Sequence, residues 1–218
     1  MVVRDITKHL GKLPLFPLPG AVLFPTMRMP LHIFEPRYRR MVKDAVEQGM
    51  PLVIGNVNET QAPSRTAVPV HEIVGVGVIE NLKELPDGRF LLELVGQARV
   101  RILEEHTSPL PYRLIRGELI SDEEYESRSA ERASQTLTSL LGLLQKNQPQ
   151  IHNTLTEVIS HCQTLGERAD AIAGLVQTDA QIRQAWLEEL NPVARLTAVM
   201  DALSSLVAES HRSSGLAN

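Results

Sequence analysis

Residues able to do chemistry are sparse in this sequence, and they stand at spacings that defeat each familiar site. Seven histidines are scattered over 218 residues without an H-E-x-x-H pair, and Cys162 is the single cysteine, so there is no C-x-x-C. A zinc site needs three or four such ligands converging on one point. His32 and Glu35 lie three apart and His71 and Glu72 are adjacent, but neither pair alone makes a metal site. His161 and Cys162 are neighbours on a predicted helix, where adjacent side chains point apart. No G-x-x-x-x-G-K-[ST] phosphate cradle occurs, and Gly75-x-Gly77 lacks its third glycine because Glu80 stands there. The two glycines read instead as places of close packing or a bulge. No G-x-S-x-G elbow presents a serine, and Cys162 falls on an apolar helical stripe, where a thiol is usually inert. No catalytic residue, metal or cofactor is therefore assigned. A hydrolase acting on small molecules would need a triad assembled from distant residues, and nothing in the sequence nominates one.

What remains is apolar surface. The first 35 residues carry Leu15, Phe16, Leu18, Val22, Leu23, Phe24, Met27, Met29, Ile33 and Phe34, more apolar mass than a sheet with one polar face requires. Most of these side chains are expected to fill the core. A subset, Phe24, Pro25, Met27, Met29, Phe34 and Tyr38, forms the candidate patch for an apolar peptide, since exposed apolar patches mark binding sites and methionine adapts to varied partners.

The elements that must position these residues fall into two unlike halves. Up to about Ile120, short apolar runs are punctuated by glycine and proline. Leu13 to Phe24 offers two extended segments around the Pro19-Gly20 turn, and Met27 to Phe34 a strand whose Pro30 suits an edge. Pro36 opens a helix that carries Tyr38, Met41, Val42 and Ala45 on one face, and Gly49 is placed to stop it. Leu52-Val53-Ile54 reads as a buried strand, residues 56–71 as a mobile loop, and Pro86-Asp87-Gly88 as a hairpin turn between Ile73–Leu85 and Arg89–Val95. Further strands follow at Val100–Leu103 and Tyr112–Ile120. Such an order of short strands with one helix predicts a small mixed barrel or closed sheet over residues 1–120.

From Ser121 the period becomes helical. Ser121 and Glu124 form a capping-box pattern, and so do Thr178 and Gln181, while Asn191-Pro192 caps and opens a last helix. Four or five helices with short joins predict a helical bundle over residues 121–218, with a disordered tail from Ser213 to Asn218. The fold class is α+β.

Composition bounds the partners. A 218-residue chain of 43% hydrophobic residues can bury roughly 70% of its unfolded surface. Residues 1–117 hold 15 Lys and Arg against 12 Asp and Glu, and residues 118–218 hold 7 against 14, so no concentrated basic face announces nucleic acid. No stretch reaches the ~20 apolar residues of a membrane span. Without a signal-peptide pattern or paired cysteines, a reducing cytoplasm is the expected compartment.

Several of these segments are familiar together. Leu13-Pro-Leu-Phe-Pro-Leu-Pro-Gly-Ala-Val-Leu-Phe-Pro25 and Pro30-Leu-His-Ile-Phe-Glu-Pro-Arg-Tyr38 resemble the start of the N-terminal substrate-binding domain of Lon proteases. Glu72–Gly77, Leu85–Arg89 and Val95–Ile102 are similar to its middle, and Ala169-Asp170, Ile172-Ala173, Asp179, Arg183-Gln184, Leu187-Glu188 and Arg195-Leu196 to its helical part. The resemblance implies a PUA-like β-rich subdomain followed by a helical one, and recognition of unfolded or damaged protein. It does not extend to the ATPase motor or the Ser–Lys protease of full-length Lon. The expected function is a non-catalytic module that binds apolar polypeptide, with polypeptide substrates or a protein partner in quality control. An RNA-binding alternative rests on PUA-like topology and the basic Arg37, Arg39, Arg40 and Lys43 helix. The sequence assigns no oligomeric state.

Overall fold

The Leu13–Pro17 run becomes strand β1 because its residues divide between two apolar layers, Leu13 and Leu15 on one side and Phe16 on the other. The computed structural model describes residues 6–62, 68–176 and 179–215. Five more strands follow: β2 (Arg28–Ile33), β3 (Leu52–Gly55), β4 (Ile73–Glu84), β5 (Phe90–His106) and β6 (Arg113–Ile120). They form a six-stranded sheet in the order β2-β5-β4-β3-β1-β6, and β5 also pairs with β6. The ladder thus returns on itself through the 17-residue β5, while among the described residues β2 pairs with β5 alone. Among the described strand pairs, β1 and β3 run parallel and the others antiparallel. Parallel neighbours need a crossover, and β2 with helix α1 (Pro36–Gln48) supplies it.

Helix α1 begins and ends where its residues require. Pro36 sits at its first position, and Gly49 takes φ 65° and donates its N–H to Ala45 O and Val46 O. The hairpin between β4 and β5 closes at Gly88, with φ 76° and its N–H on Leu85 O at 2.8 Å. Midway along that pair, Val76 faces Ala98 but Gly77 faces Gly96, so Gln97 is an extra residue on β5. The bulge reverses the faces of β5: Phe90, Leu92 and Leu94 join the layer under α1, and Val100 joins the opposite one.

The second extended segment expected before Phe24 is not a strand. Val22, Leu23 and Phe24 cross β4 and β5 at three glycines, where a Cβ on Gly75 would collide with Leu23 O and one on Gly96 with Phe24 O. Gly75-x-Gly77 is therefore a place of close backbone approach. Of the 56–71 loop, residues 63–67 lie outside the described residues. Its ends are tied together by the Val57–Val70 bridge and by His71 N–H on Asn56 O.

Two compact units emerge, Met1–Ser121 with Asp179–Leu187, and Asp122–Thr178 with Glu188–Asn218. Helix α5 (Ala180–Glu188), read from its sequence as one of the C-terminal helices, packs with the sheet. Arg99 Nε donates to Leu187 O at 2.8 Å and Gln184 Nε2 to Ile73 O at 2.9 Å. Thr178 lies outside the described residues, and Asp179 Oδ1 accepts the Gln181 N–H instead.

In the second unit, α2 (Ser127–Asn147) packs on α3 (Pro149–Ser160) and α6 (Pro192–Gly215), and α4 (Leu165–Leu175) on α3 and α6. Helix α2 starts five residues later than the Ser121–Glu124 pattern predicts, with Glu126 and not Ser121 at its N-cap. Arg195 holds the Asp122 carboxylate, and Glu123 N–H bonds Leu190 O, so those residues are drawn out of a helix. A capping box unnoticed in the sequence opens α4, with Glu167 N–H on Thr164 Oγ1 and Thr164 N–H on Glu167 Oε2. Asn191 caps α6 through Val193 and Ala194 N–H. That helix runs on through residues 213–215, part of the expected tail, and 216–218 lie outside the described residues.

Candidate functional site

The first unit carries a cleft of about 620 Å³ beside β2. Its apolar surface comes from Phe16 of β1 and Leu18 just after it, Leu31 and Ile33 of β2, and Leu110 before β6. Phe34 stands at its margin with 59% of its surface exposed, although it is among the largest apolar residues of the sheet unit. Its ring tilts toward His32, with centroids 5.8 Å apart.

The acidic and basic side chains that line the cleft are paired with one another. Arg37 donates to Glu35 at 2.9 Å and lies 4.5 Å over the Tyr38 ring, which packs on Phe16 at 4.3 Å. Arg113 grips Glu105 with two hydrogen bonds, of 2.7 and 2.6 Å, and reaches Val68 O at 2.7 Å. His106 Nε2 is 2.8 Å from Gly11 O. The four ionised lining residues thus cancel in two pairs. At the inner wall Tyr112 donates to Asp44 Oδ2 at 2.9 Å, and Arg40 holds the other oxygen at 2.7 Å. Burial, with that hydrogen bond, pushes the Tyr112 phenol up to about 12, so it stays protonated at neutral pH and serves as a donor and not as a base.

The six residues nominated from the sequence do not come together as one patch. Phe34 and Tyr38 line the cleft, with only Phe34 exposed. Phe24 is fully buried and Met29 nearly so, because their segments supply the core layer beside the glycine crossing and under α1. Pro25 and Met27 are half-buried and lie outside the cleft. Met27 Sδ faces Arg183 of α5, whose guanidinium sits 5.7 Å over the Phe24 ring and whose pKa burial lowers. The cleft's other wall, Leu110 with Pro111, Tyr112 and Arg113, escaped the sequence reading. Its one local sign was an aromatic residue directly after the Pro109–Pro111 loop.

No group of three or more His, Cys, Asp or Glu able to hold a metal occurs among the described residues. Cys162 donates to Val158 O at 3.5 Å, and burial, then nearby Glu167, raises its thiol pKa, which disfavours the reactive thiolate. The basic run of α1 is not a bare cationic face, since Arg37, Arg40 and Lys43 meet Glu35, Asp44 and Glu84. No helix among the described residues is long and apolar enough to cross a membrane.

The model of the ATP-dependent protease La (LON) substrate-binding domain matches residues 12–205. The chain belongs to that family. Among similar proteins, Lon protease 2 of Myxococcus xanthus is 27% identical over 195 residues, 88% of this chain and 23% of that protein. The Lon protease of Dictyoglomus thermophilum is 27% identical over 187 residues, covering 86% and 23%. This LON-family chain thus spans about a quarter of the length of the curated relatives it matches. Two solved structures share the fold of this LON domain: the Lon N-terminal domain protein of Xanthomonas campestris (TM-score 0.62, 20% identity, 87% of this chain and 97% of that one) and the N-terminal domain of Mycobacterium avium complex Lon protease (TM-score 0.67, 18% identity, 88% and 98%). The mixed α+β architecture is theirs.

Proposed function

We propose that this chain binds exposed apolar segments of unfolded or damaged polypeptide, as a non-catalytic recognition module of cytoplasmic protein quality control. One observation carries the reading: a cleft of apolar lining and self-cancelling charge, with the large exposed ring of Phe34 at its margin. An apolar ring held in water beside a concave surface gains free energy when a ligand covers it. The substrate-binding description of the family supports the same reading. In it the closed strand ladder is a small PUA-like barrel and α2, α3, α4 and α6 are a helical bundle. Recognition belongs to residues 1–120, while 121–218 form the helical part, apart from α5.

Fluorescence anisotropy of a reduced, carboxymethylated unfolded chain titrated with the protein tests the proposal. Saturable binding that changes little with salt is expected. Absence of saturable binding at any salt removes the reading, and a steep salt dependence of affinity for single-stranded RNA would replace it with nucleic-acid recognition.

A further inference from the structure

We infer that the polypeptide is held by strand addition: an extended, uncharged segment pairs with the free edge of β2 where that edge opens into the cleft. This inference rests on the polypeptide-binding reading above and specifies its geometry. Among the described residues β2 stands at the end of the strand order and pairs only with β5, in the register Arg28↔Val95 to Ile33↔Phe90. Gly96 donates its N–H to Met27 O, which places that pair on the hydrogen-bonded side of the ladder. Antiparallel pairs alternate, so Met29, Leu31 and Ile33 turn their backbone groups to β5, whereas Arg28, Pro30 and His32 turn theirs outward. Pro30 fits this assignment, because a proline is tolerated only where no ladder donor is needed. Arg28, Pro30 and His32 are also the exposed residues of the strand.

Leu31, His32, Ile33 and Phe34 all line the cleft, so the free edge and the apolar hollow are one surface. The outward carbonyls of Pro30 and His32 and the N–H of His32 form the alternating row that an extended backbone completes at strand spacing. Side chains of the added strand would alternate between the Leu31 and Ile33 face and the His32 and Phe34 face. Charge selects the occupant. Glu35 with Arg37 and Glu105 with Arg113 leave no uncompensated charge on the lining, so a neutral apolar segment is matched and a phosphate-bearing chain is not.

The test uses the full chain and a labelled decapeptide in which phenylalanine and valine alternate with threonine and glutamine. Two further versions carry N-methyl groups on alternate backbone nitrogens, one for each edge. Strand addition predicts saturable binding of the parent peptide and a loss of affinity of about tenfold or more in at least one methylated version, because backbone hydrogen bonds are removed while side chains stay. Equal affinity of all three overturns strand addition and leaves polypeptide binding standing. No binding of the parent or of an unfolded chain overturns both. His32→Pro, which deletes the outward donor as Pro30 already does two residues earlier, should weaken the parent peptide by a similar factor with an unchanged circular dichroism spectrum. A concentration-dependent dimer that His32→Pro dissociates, and that the peptide fails to displace, would assign the edge to a second copy and sink the proposal.

Discussion

Phe34 and Tyr112 both line the cleft and illustrate what a single side chain contributes. Phe34 has little packing to lose, being 59% exposed. Phe34→Ala should therefore leave the thermal midpoint within about 1 °C while lowering affinity for an unfolded chain about tenfold, since covering an aromatic ring is worth about 1.5–3 kcal/mol. Anisotropy and thermal unfolding on the same sample separate the two effects. Tyr112 has the opposite character. Its hydroxyl is the donor for Asp44 Oδ2, and Tyr112→Phe should cost about 1–2 kcal/mol at neutral pH by leaving a buried oxygen unsatisfied. The folded phenol is pushed up to about 12, above its unfolded value of about 10. A raised folded-state pKa means that the associated stability is complete below about pH 10 and lost as pH rises through about 12. Urea midpoints of the wild type should therefore fall more steeply across that window than those of Tyr112→Phe.

Elements behave as their residues dictate until a distant segment intervenes. The Gly75 and Gly96 positions look like weaknesses in two long strands, yet each admits a carbonyl from the Val22–Phe24 crossing. Gly75→Ala should destabilise the sheet unit by about 3 kcal/mol or more, because the obstacle is backbone that cannot rotate aside. Gly142, inside α2, has nothing within 4 Å of where a Cβ would stand, and Gly142→Ala should stabilise by about 0.5–1 kcal/mol through helix propensity alone. Chemical denaturation of the pair distinguishes a glycine demanded by tertiary contact from one that is not. The same contrast governs helix starts. The Thr164–Glu167 box, unnoticed in the sequence, forms, whereas Ser121–Glu124 has the same pattern and does not, because Asp122 between them is taken by Arg195.

Across the whole molecule, compactness does not follow chain order. Helix α5 joins the sheet through backbone acceptors on Ile73 and on its own Leu187, while the helices before and after it belong to the second unit. Hydrogen exchange should give α5 amides protection that tracks β4 and β5. Protection that instead tracks α4 and α6 would contradict this grouping. The second unit is organised by Arg195, a fully buried guanidinium in ion pairs with Asp122 and Asp170 that also donates to Glu189 O. Arg195→Leu strands the buried Asp170 carboxylate and should cost about 3–5 kcal/mol, seen as lost protection in α4 and α6.

Much of this protein was written locally. The Pro36 start and Gly49 stop of α1, the Gly88 turn, the Asn191 cap, the edge character signalled by Pro30 and the change of period near residue 120 depend on neighbours a few residues apart. The binding surface was not legible in the same way. Phe24 and Phe34 are the same residue type in the same apolar stretch, yet one is sealed where its backbone crosses Gly96 of β5 and Arg183 covers its ring, and the other is left in water. Burial is set by which distant backbone arrives overhead, and the cleft exists only because residues near 16, 33 and 112 are brought together by strand pairing. Local chemistry determines the elements; long-range register determines which of their side chains remain free to bind.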